Sequence, residues 1–178
     1  VRIVNLETAA TTSDDWQRGK GIHYRMHPAN VPCLTAAHID CCVLANNHVL
    51  DWGEVGLAET LATLRHAHLQ TAGAGHDLAA AAAPAVLNTA RGRVLVFAFG
   101  TESSGIPPDW AAAAKEPGVN LLADFSDATV TRIAAQVKAA GRGGTLEHML
   151  TEASQMLSGM SRGASLVIAV ATADLLRA

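Results

Sequence analysis

The sequence predicts an α/β domain. Short apolar runs of strand length, such as Cys41 to Ala45 and Arg93 to Phe99, stand between segments with helical periodicity, such as the Leu57, Leu61 and Leu64 face. Clusters of Gly, Pro, Asn and Asp separate the two kinds of segment, as turn chemistry requires. At 178 residues the expectation is one domain with room for a core.

Val1 to Leu6 reads as the first strand, led by β-branched residues. Residues 8–28 read as a polar loop holding Asp14, Asp15, Gly19, Gly21 and Pro28. A short helix is expected from Ala29 to His38, and Asp40 then introduces the strand Cys41 to Ala45. Leu57, Leu61 and Leu64 recur at i, i+4 and i+7 beside Ala58 and Ala62, which makes one apolar helical face. A strand is expected at Leu69 to Ala72, ended by Gly73-Ala74-Gly75. Ala79 to Ala83 is a helical turn or two, stopped by Pro84. Ala85 to Asn88 and Arg93 to Phe99 flank Thr89-Ala90-Arg91-Gly92, the pattern of a hairpin. Gly100 to Asp124 reads as a long loop. Ser126 caps the next helix, with Asp127 in its first turn and Val130, Ile133, Ala134 and Val137 on its apolar face. A further helix is expected from Leu146, through Met149, Leu150, Ala153, Met156 and Leu157; residues 165–172 fit strand or helix equally.

Hydrophobic residues make up 49% and charged residues 16%, which excludes general disorder. The net charge of −3 and pI near 6.2 leave no basic footprint, so no nucleic-acid partner is expected. Cys33, Cys41 and Cys42 have no zinc spacing and read as reduced, buried small hydrophobes. The apolar run at residues 166–171 is far short of the ~20 residues a membrane helix needs. The chain opens on Val1 with a strand already under way, so its natural start is expected upstream.

The chemistry concentrates at Ala45-Asn46-Asn47-His48-Val49-Leu50-Asp51-Trp52-Gly53, directly after a buried strand. In open α/β sheets, ligands bind beyond the carboxyl ends of strands. Asn5-Leu6-Glu7 follows the first strand in the same way, so a parallel sheet brings the two segments to one edge. Glu7 offers a carboxylate and Asn47 a neutral oxygen for divalent metal, and His48 stands ready to protonate a leaving oxygen. Two metals about 3.5–4 Å apart can clamp the attacking and leaving oxygens of a displacement. Asn5, Asn46 and Asp51 read as residues that orient these groups. The competing reading is that Asn46 and Asn47 merely make a strand-to-helix turn, which Asn favours. His66 and His68 read as surface residues, and His23, His27, His38, His76 and His148 lack ligand spacing.

These segments resemble the CapA family of capsule biosynthesis proteins, tied to poly-γ-glutamate and part of the calcineurin-like metallophosphoesterase superfamily. The matching pieces are Val4-Asn5-Leu6-Glu7, His23-Tyr24-Arg25-Met26, the segment from Leu44 to Gly53, Gly56 to Leu61, Thr71 to Gly75 and the strand Val94 to Phe99. The Asn-Asn-His-x-x-Asp-x-Gly stretch, in order with Asn-Leu-Glu, is the specific part. The resemblance spans residues 1–140 and leaves 141–178 as a divergent helical tail. It implies a four-layer α-β-β-α sandwich with a binuclear site for divalent ions (Mn, Fe, Zn or Mg) at the strand ends. Glu7 and Asn47 match metal-ligand positions, and His48 matches the residue that assists phosphoester cleavage.

The family's opening Gly-Asp motif, its His-Trp-Gly strand end and its Gly-x-His-x-His motif have no counterpart here. The expectation is therefore an incomplete domain, lacking its N-terminal strand and C-terminal part. Two functions follow from the resemblance. One is a metal-dependent hydrolase acting on an anionic polymer or a phosphoester at the cell envelope. The other is a non-catalytic domain that binds polymer or assists membrane-bound capsule synthase subunits.

Overall fold

The structure, a computed structural model, describes residues 1–90, 92–124, 126–140 and the strand at 166–172. In chain order the elements are β1 (Ile3–Asn5), β2 (Ala9–Ala10), β3 (Arg25–Met26), α1 (Pro32–Ala36), β4 (Cys41–Val43), α2 (Gly53–His66), β5 (Gln70–Ala72) and β6 (Ala74–Gly75). They continue with α3 (Leu78–Ala82), β7 (Ala85–Thr89), β8 (Gly92–Thr101), β9 (Gly118–Val119), β10 (Leu121–Leu122), α4 (Asp127–Ala140) and β11 (Leu166–Thr172). The fold is mixed α/β with several sheets.

The first sheet has the order β1-β4-β5 and is parallel throughout, with Ile3 opposite Cys41 and Cys41 opposite Gln70. Each crossover carries a helix, as parallel pairing demands. Helix α2 places Leu57 and Leu64, both fully buried, in the core of this sheet. Each contributes about 1.5–3 kcal/mol by leaving water. Glu54 in the first turn of α2 and Arg65 and His66 in its last complement the helix dipole.

The second sheet is built on β8, which pairs antiparallel with β7 and β11 and parallel with β10. Alternation along β8 divides two cores. Leu95, Phe97 and Phe99 pack with Ile133 and Val137 of α4, while Val96 and Ala98 join the core of the first sheet. The bend between β5 and β6 lies between Ala45, after β4, and Ala98 of β8. Gly73 sits there at φ +92°, and a Cβ would lie 2.7 Å from the side chains of both Ala45 and Ala98, so only glycine fits.

The residues expected to form two long loops are more ordered than their composition suggests. Residues 8–28 include the parallel pair β2–β3. Residues 100–124 contain 3-10 turns at Glu102–Ser104 and Pro108–Trp110 and the strands β9 and β10. These strands are two residues long, too short to show a period, and they form because tertiary neighbours offer backbone partners. Residues 166–172 are strand, which resolves the alternative left open by periodicity. The helix expected from Leu146 lies outside the described residues. Cys41 and Cys42 are buried, and burial pushes their thiols up to about 12 and about 11. Cys33 is a correction: it lies exposed on α1, which presents no buried face to receive it. Among the described residues no helix is long and apolar enough to cross a membrane.

A carboxylate clamp ties the loop after β2 to α2. Glu59 accepts hydrogen bonds from the Thr11 hydroxyl (2.5 Å), the Thr12 backbone N–H (2.9 Å) and the Thr12 hydroxyl (3.0 Å). The Thr11 bond first, then those from Thr12, hold the Glu59 carboxyl below its ordinary value of 4.5. A depressed folded-state pKa stabilises the fold above the unfolded value, and the contribution fades as pH falls through the folded one. Wild type is therefore expected to exceed Glu59→Gln in urea midpoint at neutral pH. The gap should shrink as pH drops below that ordinary value. A gap independent of pH would show that the clamp works by shape rather than charge.

Candidate functional site

Parallel pairing of β1 and β4 sets Asn5 beside Val43, so the residues that follow each strand emerge at one edge. Asn46 locks the two exits together. Its side-chain nitrogen donates to Asn5 Oδ1 and to the Leu6 carbonyl, both at 3.0 Å, and its oxygen accepts from the His48 backbone N–H at 3.0 Å. Asn5 in turn donates to Glu7 Oε1 at 2.8 Å. One chain of hydrogen bonds thus runs from Glu7 through Asn5 and Asn46 to the backbone of His48. Asn46 is buried with every polar atom bonded, so its amide is committed to holding the turn.

His48 and Asp51 form a buried pair, with Nδ1 of the imidazole 2.8 Å from Asp51 Oδ2. Lys20 Nζ also lies 3.2 Å from Nδ1; an ionised carboxylate only accepts, so the shorter Asp51 contact favours the proton on Nδ1 and leaves Nε2 for chemistry. Asp51 also accepts from the Tyr24 backbone N–H at 2.7 Å and from the Lys20 ammonium. Lys20 donates as well to the Asn47 carbonyl and lies 5.3 Å from the Trp110 ring centroid. The Tyr24 ring stacks on His48 with centroids 4.1 Å apart and covers one face of the imidazole.

Asn47 is half-buried, and its side-chain amide makes no hydrogen bond among the described residues. The turn Glu102–Ser104 ends beside it: a Cβ on Gly105 would sit 3.2 Å from Asn47 Nδ2. Glu7 is exposed, with Oε1 taken by Asn5. As hard oxygen donors, Glu7 and Asn47 suit one side of a divalent-ion shell. Among the described residues no three His, Cys, Asp or Glu side chains form a group that could hold a metal ion.

The structure therefore groups Asn5, Glu7, Asn46, Asn47, His48 and Asp51 at one sheet edge. His66, His68 and His76 lie elsewhere, on the surface. Sequence reasoning missed Lys20, Trp110 and the part Tyr24 plays. Lys20 sits between Gly19 and Gly21 in a polar loop, with no local sign of a buried partner. Tyr24, the one tyrosine in the chain, was the available signal.

Comparison with known proteins bears on this grouping. The family model described as bacterial capsule synthesis protein PGA_cap matches residues 1–149. A Mycobacterium tuberculosis protein named "Probable polyglutamine synthesis accessory protein" is 45% identical over 148 residues, covering 82% of this chain and 39% of the relative. This chain thus spans about two fifths of that relative's length. A stretch of 48 residues is 71% identical to heat-inducible transcription repressor HrcA of Mesorhizobium japonicum, covering 27% of this chain and 13% of the repressor. The grouped residues all fall inside the family match, and the chain belongs to the PGA_cap family of bacterial capsule synthesis proteins.

Proposed function

We propose that this chain carries one side of a divalent-metal-dependent hydrolytic centre, acting on a phosphoester or related bond in capsule or poly-γ-glutamate synthesis. The observation that supports it is the His48–Asp51 pair at the carboxyl ends of paired parallel strands, beside two oxygen donors. The layering of α4 on one face of β8 and of the first sheet on the other favours a four-layer α-β-β-α arrangement of the metallophosphoesterase type. Glu7 and Asn47 would hold a divalent ion (Mg, Mn, Fe or Zn), which when bound supplies Lewis-acid activation of water. Asp51 fixes the His48 tautomer, and Nε2 holds or releases the proton that a leaving oxygen needs. Asn46 keeps the turn that carries Asn47 and His48 in register with Glu7.

A second reading rests on the relative's name, an accessory protein. In it the domain binds the polymer or a membrane-bound synthase subunit without turnover. The match to HrcA covers too little of that repressor to argue for repression. Elemental analysis of chelator-washed, metal-reloaded chain separates the two readings. The hydrolase reading expects up to about two tightly held ions per chain, lost in Asn47→Ala. Absence of stoichiometric metal in the wild type overturns it for this chain and leaves the binding role.

A further inference from the structure

Large hydrophobic side chains gather, exposed, on the loop between β2 and β3. Trp16 is 46% exposed, Ile22 60% and Tyr24 46%; all three belong to one stretch of residues that closes over the site. Elsewhere among the described residues such side chains stand singly, at Val1, Val55, Leu78 and Val86. Isolated ones need no explanation, whereas a contiguous aromatic patch marks a binding surface.

This patch is built. Trp16 meets His23 edge-on at 5.5 Å between centroids, and His23 meets Trp52 at 6.1 Å. Arg25 lies over Trp52 at 4.1 Å. The His23 ring is fixed by the Gln17 carbonyl at 2.7 Å, and Trp52 donates to the Tyr24 carbonyl at 3.0 Å. The loop is pinned beneath by Gln17 N–H to the Asp51 carbonyl at 2.8 Å. Tyr24 continues the patch into the site, because its ring stacks on His48.

The charges on the loop are sorted. Asp14 is paired with Arg25 at 2.9 Å, and Asp51 with Lys20. Asp15 turns to Gly53 at the start of α2, where a helix N-terminus favours a carboxylate. Arg18 is exposed, 5.6 Å from the Trp16 ring centroid, and has no carboxylate partner among the described residues. An unpaired guanidinium beside aromatic faces suits a chain that carries carboxylates on short methylene stems. The guanidinium takes the carboxylate as a fork, and the rings take the methylenes and amide planes.

We propose that Trp16, Arg18 and Tyr24 form a chain-binding subsite that leads a linear, carboxylate-bearing polyamide onto His48. The polymer's identity rests on the reading in the preceding section; the surface itself does not.

End-labelled oligo-γ-glutamate is titrated with the 178-residue chain by fluorescence anisotropy. Trp16→Ala and Arg18→Gln are each expected to raise Kd about tenfold, as central aromatic and Arg anchors do. Arg65→Gln, at the other end of α2, should leave Kd unchanged, and a neutral glucan should not compete. Arg18 is exposed, so its variant keeps the fold, and urea midpoints check Trp16→Ala. Failure of the wild type to bind, a Kd indifferent to Arg18→Gln, or equal competition by glucan overturns the subsite. Hydrolysis of a generic phosphodiester is followed on the same chain after metal loading. Variant-sensitive polymer binding without metal-dependent hydrolysis upholds the subsite and sinks the hydrolase reading; metal-dependent hydrolysis with Kd indifferent to both variants does the reverse.

Discussion

Asp51→Ala is expected to lower the unfolding free energy by about 3 kcal/mol, the largest stability loss at any polar position of the site. Asp51 is fully buried and accepts from three groups at once: the His48 ring, the Tyr24 backbone N–H and the Lys20 ammonium. Truncation leaves all three without that acceptor. The Lys20 side chain retains 19% exposure, so it recovers some hydration and keeps the loss at the lower end of the range for a broken buried pair. The loop between β2 and β3 loses two of its anchors to the turn after β4. Asp51→Asn should cost less, because an amide oxygen still accepts from the Tyr24 N–H. Urea denaturation of the three proteins measures this, and an unchanged midpoint in Asp51→Ala would show that the pair does not hold the loop.

His48→Ala is expected to reduce hydrolysis of a generic phosphodiester by the metal-loaded chain about 10²–10⁴-fold, the span associated with a positioned general acid. Its effect on stability should be about 1–2 kcal/mol, because the contacts of the ring with Asp51, Lys20 and Tyr24 are lost while the backbone bond to Asn46 remains. Turnover and urea midpoint are measured on the same preparation. Loss of turnover with the midpoint nearly kept assigns His48 to the chemistry. Unchanged turnover, or unchanged capsule function in cells that carry the variant, would remove the imidazole from the reaction and favour the accessory role.

Much of the frame was legible because local patterns agree with the tertiary fold. The Leu57, Leu61 and Leu64 face became α2, and the Gly-containing turn joined β7 and β8. Asp77, not anticipated as a cap, starts α3 by accepting from the Ala80 N–H at 2.7 Å. Asn5-Leu6-Glu7 and Asn46-Asn47-His48 could be joined in thought because parallel strands expose their ends at one edge. The segments 8–28 and 100–124 could not be read, since their strands draw on distant backbone partners and carry no period of their own.

By itself the sequence determined the α/β class, the order of the longer elements outside 8–28 and 100–124, the family and the side chains offered at the first two strand ends. These follow from periodicity, turn chemistry and the spacing of a specific motif, all written within short windows. Only the tertiary structure decided how that offer is arranged. It turned Asp51 onto His48, spent the Asn46 amide on joining β1 to β4, and left the Asn47 amide without a hydrogen-bond partner among the described residues. It also brought Lys20 across 31 residues of sequence to the Asp51 carboxylate and laid Tyr24 on the imidazole. The reason is physical: a buried carboxylate must find its donors wherever the folded chain supplies them, and no local pattern records which distant residue that is.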